Sequence, residues 1–304
     1  MKIIGVDLHA RQQTIAMLDT DTGEMVEKTL EHQGDELRKF YSALPGPVLV
    51  GIEATGSMQW FLQLMEELGI ECRVGHPAQI RKAETRKQKH DRRDARLLLR
   101  LLAENRFPTI WMPSSEQRDL RTLLRHRHQW VRMRSRLQHT LQSMALNQGL
   151  RLGHSLWSQA GQQALQALPL APHAAHRRAA LLALYPRMQE SIEELDEQVS
   201  EQVQQRPAAR RLLTHPGVGP ITALATEVYL GDPLRFADGK AVASYIGMIP
   251  SEHSSGGRQR LGAMSKQGNA LLRYLWCEAS MRSFLLPSFS RAFFRGSQTK
   301  TFAT

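Results

Sequence analysis

Cysteine is scarce in this 304-residue chain: Cys72 and Cys277 stand far apart, and neither belongs to a CxxC pair. That excludes a disulfide framework and a cysteine-rich zinc site, and it fits a reducing compartment. Long apolar runs are missing too. No stretch approaches the ~18 consecutive apolar residues of a membrane-crossing helix, so no membrane association is expected. The N-terminal run Met1-Lys2-Ile3-Ile4-Gly5-Val6-Asp7 enters a strand-like pattern at once, without an apolar core region or a small-residue cleavage site. No signal peptide is expected, which places the protein in the cytosol or on the nucleoid.

Acid is the other shortage. Asp and Glu number 29 against 40 Lys and Arg, a net charge of +11. A surplus of that size calls for a polyanionic partner, because each phosphate neutralised releases condensed counterions. The plain alternative is a basic surface kept for solubility. Hydrophobic residues make up 41% of the chain, enough for ordinary buried cores, so a disordered chain is excluded. At ~100–200 residues per domain, the length allows about two domains.

What is present divides into three stretches. Residues 2–8 and 12–18 have the pattern of two strands joined near His9-Ala10-Arg11, with a third strand at 25–31. A helix at 35–43 leads to the apolar strand Pro47-Val-Leu-Val-Gly-Ile-Glu53, followed by a helix over 57–68 and a strand at 71–76. Hairpin strands followed by strand–helix alternation predict an α/β layer with a mixed sheet over 1–110. From Pro77 the chain turns to long, Arg-rich helices, with breaks near Pro108 and Pro113. Leu120, Leu124, Val131, Leu137, Leu141 and Met144 form one apolar face. The strip 150–178 has the composition of a linker, and Pro186 suits the first turn of a further helix. That helix carries Met188, Ile192, Leu195, Val199 and Val203 at near-heptad spacing. The stripe fits a dimer seam or a helix pair within one chain, and the seam is favoured. The helical region is assigned to 111–206 and a compact, mainly helical domain to 207–304. The fold class is therefore α/β plus α.

Two acids end strands in similar settings, Asp7 in Gly5-Val6-Asp7 and Glu53 in Gly51-Ile52-Glu53. Two more, Asp91 and Asp94, open a helix and share one of its faces. Each has an ordinary explanation: Asp7 as a turn residue, Asp91 and Asp94 as caps favoured by the helix dipole. Together they follow the order of an RNase H-like nuclease site. Four oxygen-bearing side chains suit hard cations, and two Mg²⁺ ions about 3.5–4 Å apart can clamp a phosphate for in-line displacement.

Around the Asp pair sit Arg81, Lys89, Arg92, Arg93 and Arg96, and further on Arg118, Arg121, Arg125, Arg127, Arg132, Arg134 and Arg136. Arginine's planar fork favours bidentate phosphate contacts, and acids are few among these bases. The turn Pro216-Gly217-Val218-Gly219 is similar to the hairpin of helix-hairpin-helix motifs, whose backbone N–H groups hold a phosphate; an ordinary helix-connecting turn has the same look. The stretch Ser254-Ser255-Gly256-Gly257-Arg258 offers exposed hydroxyls on a permissive backbone, with Arg258 and Arg260 to balance a phosphate. Taken alone, a flexible Ser/Gly loop explains it as well.

Nearly the whole chain resembles one family. GVDLH at the start, GIEATG at 51–56, KHDRRDA at 89–95, HPGVGPITA at 215–223, GDPLRF at 231–236 and SYIGMIPSEHSSGGRQRLGAMSKQGNALLRYL at 244–275 occur in the family's order. The sequence is similar to the DEDD-type insertion-sequence transposases, the bridge-RNA-guided recombinases of the "one-ten" family, "eleven-eleven" branch. The resemblance implies a RuvC-like domain with Asp7, Glu53, Asp91 and Asp94 as catalytic and Mg²⁺-binding acids. It implies a coiled-coil segment, and a C-terminal transposase domain whose nucleophilic serine is Ser254 or Ser255, with Ser254 favoured. Phosphate contacts then fall to Lys89, Arg92, Arg93, Arg96, Gly217, Gly219, Arg258 and Arg260. DNA, a structured guide RNA and further copies of the chain, as dimer or tetramer, are the implied partners. His90 departs from the small hydroxyl residue expected there and removes no ligand. A metal-dependent Holliday-junction nuclease without a covalent intermediate is the alternative reading, and a nucleoid-binding protein with structural acids is a third.

Overall fold

The computed structural model describes residues 1–84, 91–150 and 156–284, and the chain divides into two units, Met1–Met112 and Pro113–Thr304.

The first unit is built on a five-stranded mixed sheet in the order β3-β2-β1-β4-β5. Strands β1 (Lys2–Leu8), β2 (Gln12–Asp19) and β3 (Met25–Glu31) form an antiparallel meander, as the two short connections predict. Helix α1 (Glu36–Ser42) returns the chain to β4 (Val48–Glu53), parallel to β1. Helix α2 (Gln59–Glu67) leads to β5 (Glu71–Gly75), parallel to β4. Side chains alternate along β1, so its two faces feed two cores. Ile4, Val6 and Leu8 pack with Leu37 and Tyr41 of α1 and Phe61, Leu62 and Met65 of α2. Ile3 packs on the opposite face with Ala95, Leu99 and Leu102 of α4 (Asp91–Ala103). Between β5 and α4 lies α3 (Pro77–Ala83), whose Ile80 joins Leu97, Leu98 and Leu101. The result is a sheet covered on both faces, consistent with an RNase H-like domain.

The second unit opens with α5 (Ser115–Asn147), started by a reciprocal capping box between Ser114 and Gln117. Helices α6 (Gln159–Ala167) and α7 (Pro172–Gln204) follow. α5 and α7 run antiparallel: Arg127 pairs with Asp196 at 2.8 Å, Arg134 donates to Gln189 at 2.6 Å, and Gln138 to the Tyr185 hydroxyl at 3.4 Å. Three expectations change here. The stripe Met188, Ile192, Leu195, Val199 and Val203 is buried, all at 9% exposure or less, within this single chain, so it is not a free dimer seam. Near-heptad spacing requires a facing helix, and α5 of the same chain supplies it. Pro186 lies inside α7, which instead begins at Pro172. The supposed linker is structured over much of its length, because Leu156 and Leu165 are buried against Leu137 and Leu141.

Helices α8 (Pro207–Leu212), α9 (Pro220–Leu230) and α10 (Gly239–Tyr245), with a 3-10 turn at Pro233–Arg235, precede a hairpin of β6 (Pro250–Glu252) and β7 (Leu261–Met264). Helix α11 (Ala270–Phe284) completes the described chain. Leu120, Leu124, Val199 and Val203 of the long helices share one core with Ala223, Leu224, Val228 and Leu272. The long helices and the C-terminal block therefore fold as one unit, where the sequence suggested a division between 206 and 207. Among the described residues, no helix is long and apolar enough to cross a membrane.

Candidate functional site

In the first unit, Asp7 and Glu53 come together. The parallel register of β1 and β4 runs Gly5↔Gly51 and Val6↔Ile52, so Asp7 and Glu53 are the next residues on neighbouring strands, whose backbones lie about 4.8 Å apart. By alternation each shares a face with the glycine two residues before it. Both glycines lie under α4. A Cβ on Gly5 would sit 2.3 Å from the Ala95 carbonyl oxygen, and one on Gly51 would sit 2.5 Å from the Leu102 side chain. Asp94 directly precedes Ala95 and is partly buried, on the helix that covers the sheet face of Asp7 and Glu53. The Asp91 side chain, Lys89 and His90 lie outside the described residues.

Both strand-end acids are partly exposed and have basic company. Asp7 Oδ2 lies 3.1 Å from His9 Nε2, and Glu53 Oε1 lies 3.8 Å from Arg81 Nη2. The donors are carboxylate oxygens, the type that Mg²⁺ takes. Asp7, Glu53 and Asp94 thus suit a hard cation, although among the described residues no three His, Cys, Asp or Glu side chains yet close around one point. Arg92, Arg93 and Arg96 are exposed on α4. The Arg96 guanidinium pairs with Glu27 of β3 and holds that carboxyl below its usual range, by hydrogen bonding first and charge second.

In the second unit the serine segment is an ordered hairpin tip. His253 N donates to Arg260 O at 2.9 Å. Ser255 and Arg258 then exchange backbone bonds of 3.3 and 3.1 Å. Gly256 and Gly257, at φ +57° and +76°, form the two-residue turn. Two consecutive positive φ values are what a type I′ hairpin turn requires, which explains the glycine pair without flexibility. Below, the hairpin is clamped to the core. A Cβ on Gly247 would lie 1.7 Å from Gln267 O, and Arg273 donates to the carbonyl of fully buried Ile246 at 2.8 Å. At the tip, the Ser254 hydroxyl donates to Glu252 Oε1 at 2.5 Å and accepts from the Arg260 backbone N–H at 3.0 Å. Glu252 drew no attention in the sequence, although its i, i+2 spacing to Ser254 on a strand was a usable signal. Arg258 and Arg260 are exposed beside it.

The turn between α8 and α9 separates its two glycines. Gly217 (φ +82°) packs under α11, where a Cβ would lie 2.5 Å from Ala279 O. Its smallness thus serves helix packing. Gly219, the N-cap of α9, faces open space and leaves room for a ligand.

The arginines of α5 divide the same way. Arg121 donates to Val228 O at 2.9 and 2.7 Å and lies over the Tyr229 ring, and burial lowers its pKa. Arg118 donates to Pro113 O at 2.9 Å, while Arg127 and Arg134 tie α5 to α7. These four act within the fold. Arg132 and Arg136 instead line an open groove of about 940 Å³ with His128, His139, Arg177 and Tyr274. Burial, then the neighbouring Arg132 and Arg127, pushes the His128 pKa down.

Comparison with known proteins agrees with this layout. Residues 4–148 match a DEDD transposase model of the IS110 type, and residues 209–293 match the model described as "Transposase IS116/IS110/IS902 family". A Pseudomonas aeruginosa protein named "Probable family 20 transposase" is 31% identical over 278 residues, covering 90% of this chain and 81% of that protein. The transposase for insertion sequence element IS1111A of Coxiella burnetii is 25% identical, covering 90% and 76%. That for IS1328 of Yersinia enterocolitica is 24% identical, covering 90% and 81%. With both halves matched in order and a relative above 30% identity aligned almost throughout, the chain belongs to the IS116/IS110/IS902 family of transposases.

Proposed function

We propose that this transposase excises and inserts its element by cutting and rejoining DNA through a covalent serine–DNA intermediate. A structured guide RNA would select the sites, and the protein would act as a homo-oligomer in the cytoplasm. The observation that carries the reading is the hydrogen-bonded hairpin tip, which presents Ser254 and Ser255 beside Arg258 and Arg260 on a stem whose base is tied to buried Ile246. A serine hydroxyl attacking a phosphodiester stores the broken bond as a phosphoserine ester. Attack by another strand end reverses the step, so no high-energy cofactor is needed. Asp7, Glu53, Asp91 and Asp94 are the residues to hold Mg²⁺, which when bound would neutralise charge developing on the scissile phosphate.

The +11 charge and the groove lined by Arg132, Arg136 and Arg177 support a polyanionic partner. Exposed Arg92, Arg93, Arg258 and Arg260, and the open backbone at Gly219, are further phosphate contacts in this reading. Because the apolar stripe of α7 is buried within this chain, assembly of copies must use another surface.

The test is a denaturing gel. The purified chain is incubated with Mg²⁺ and the DNA that carries its gene and both flanks, with and without RNA transcribed from that DNA. A protein–DNA adduct that depends on Mg²⁺ and RNA is expected. Cleavage without an adduct would replace this reading with the metal-dependent junction nuclease, and binding without cleavage would leave a DNA-binding protein.

A further inference from the structure

We propose that Glu252 is the proton acceptor for Ser254, and that Ser254 rather than Ser255 forms the bond to DNA; this rests on the covalent-serine reading above. A serine hydroxyl is a weak nucleophile until a neighbouring base takes its proton. A base must stand within hydrogen-bond reach of that proton. At the tip, Ser254 alone of the two serines meets this condition, with its hydroxyl on Glu252 Oε1 at 2.5 Å. Glu252 ends β6 and Ser254 lies two residues beyond it on the same arm of the hairpin. The Arg260 N–H, donating to the same oxygen at 3.0 Å, occupies one lone pair and leaves the hydroxyl hydrogen to Glu252. Ser255 is the corner of the turn: its backbone closes the hairpin with Arg258, and no bond from its hydroxyl to a base occurs among the described residues.

Charge permits the arrangement. A carboxylate beside a phosphodiester is repulsive on its own, but the exposed Arg258 and Arg260 belong to the same tip. In the step, the Ser254 Oγ–P bond forms as the P–O bond to the departing strand breaks. The hydroxyl proton passes to Glu252, and the departing strand's oxygen takes a proton from solvent water. Rejoining runs the same transfers backward, with protonated Glu252 returning its proton to Oγ.

The full-length chain is tested on the DNA and RNA described above, comparing wild type with Glu252→Gln, Glu252→Asp and Ser254→Ala. Adduct formation is followed against time and pH, and the adduct is located by mass spectrometry of the DNA-linked peptide. The adduct is expected on Ser254, and Ser254→Ala should form none. Glu252→Gln should keep its melting temperature and DNA affinity while forming adduct about 100-fold or more slowly. Its rate should climb with pH as hydroxide replaces the lost base, and Glu252→Asp should recover part of the loss. An adduct on Ser255, or a Glu252→Gln rate and pH profile matching wild type, overturns the proposal while the covalent reading stands. Wild-type cleavage with no adduct on either serine removes the covalent reading, and this proposal with it.

Discussion

Gly5 of β1 lies against Ala95 of α4 so closely that a Cβ on the glycine would sit 2.3 Å from the Ala95 carbonyl oxygen. Strand and helix meet backbone to backbone there, two residues before Asp7 and one after Asp94. A single absent methyl group therefore sets how α4 lies on the sheet beneath its acids.

Gly5→Ala should accordingly be costly. The added methyl meets backbone rather than a side chain that can rotate aside, so α4 must shift, at a cost of at least about 1–3 kcal/mol. Gly51→Ala meets only the end of Leu102 and should cost less. Thermal melting ranks the two. Recombination by whatever Gly5→Ala protein remains folded should fall further than its stability does, because Asp94 moves with the helix.

Asp7→Asn, Glu53→Gln, Asp91→Asn and Asp94→Asn should each abolish strand cleavage and leave melting near wild type. Asp7 and Glu53 end neighbouring strands on the face covered by α4, partly open to solvent, so neutralising them removes no core packing. Near-normal cleavage in any two of the four would sink the metal-site assignment.

The α7 stripe leads to a prediction about folding. Ile192 is 2% exposed and Leu195 9%, so each truncation to Ala should destabilise the second unit by about 2–5 kcal/mol. Urea unfolding checks this. If either variant dissociated an assembly while its unfolding midpoint held, the stripe would be a seam between copies after all.

How much of this was legible in the sequence depends on whether the information is local. The strands of the first unit follow from alternation and from short connections, which the neighbouring residues largely determine. The acids were visible because strand ends and helix starts are local features. The α7 stripe was equally visible, but heptad spacing says only that some helix faces it. Sequence does not encode that this helix is α5 of the same chain. Pro186 misled because a first-turn preference is statistical, and here the flanking turns carry the helix through. Residues 150–178 looked like a linker because they are rich in Ala, Gln and His, yet burial of Leu156 and Leu165 is enough to dock the described part. Gly256-Gly257 suggested flexibility, although a type I′ turn demands the same residues. The fixed placement of Ser254 was therefore hidden.

Acid should loosen the first unit partly through Glu27. Its carboxyl is held below the usual value by the Arg96 hydrogen bonds, with burial opposing them. A depressed folded pKa means that the stabilising contribution is present above the unfolded value of about 4.5 and is lost as pH falls through the folded value. Glu27→Gln should therefore flatten the acid limb of the stability profile below about pH 4.5 and lower stability at neutral pH by the same amount, a small one because the pair is largely solvent-screened. The same substitution frees Arg96, so nucleic-acid affinity at low salt should rise or hold. A fall would show that the pair orients Arg96 toward its ligand.

Charge alone does not say which arginines meet a phosphate, and the division along α5 offers a way to tell. Arg132 and Arg136 line the open groove with Arg177, whereas Arg121 and Arg127 are spent on the Val228 carbonyl and the Asp196 carboxylate. Each phosphate contact contributes about 0.7 to the slope of log affinity against log salt for single strands, and about 0.9 for duplex DNA. Removing Arg132, Arg136 or Arg177 should lower that slope by about one such step apiece and leave melting unchanged, since these side chains carry no packing load. Arg121→Ala should do the reverse, because it leaves the Val228 and Tyr229 carbonyls short of a donor in a partly buried place. Binding isotherms at several salt concentrations, beside melting curves for the same variants, separate the two sets. If the groove variants left the slope untouched, the +11 charge would be acting elsewhere, and the exposed arginines of α4 and the hairpin tip would be the next to test.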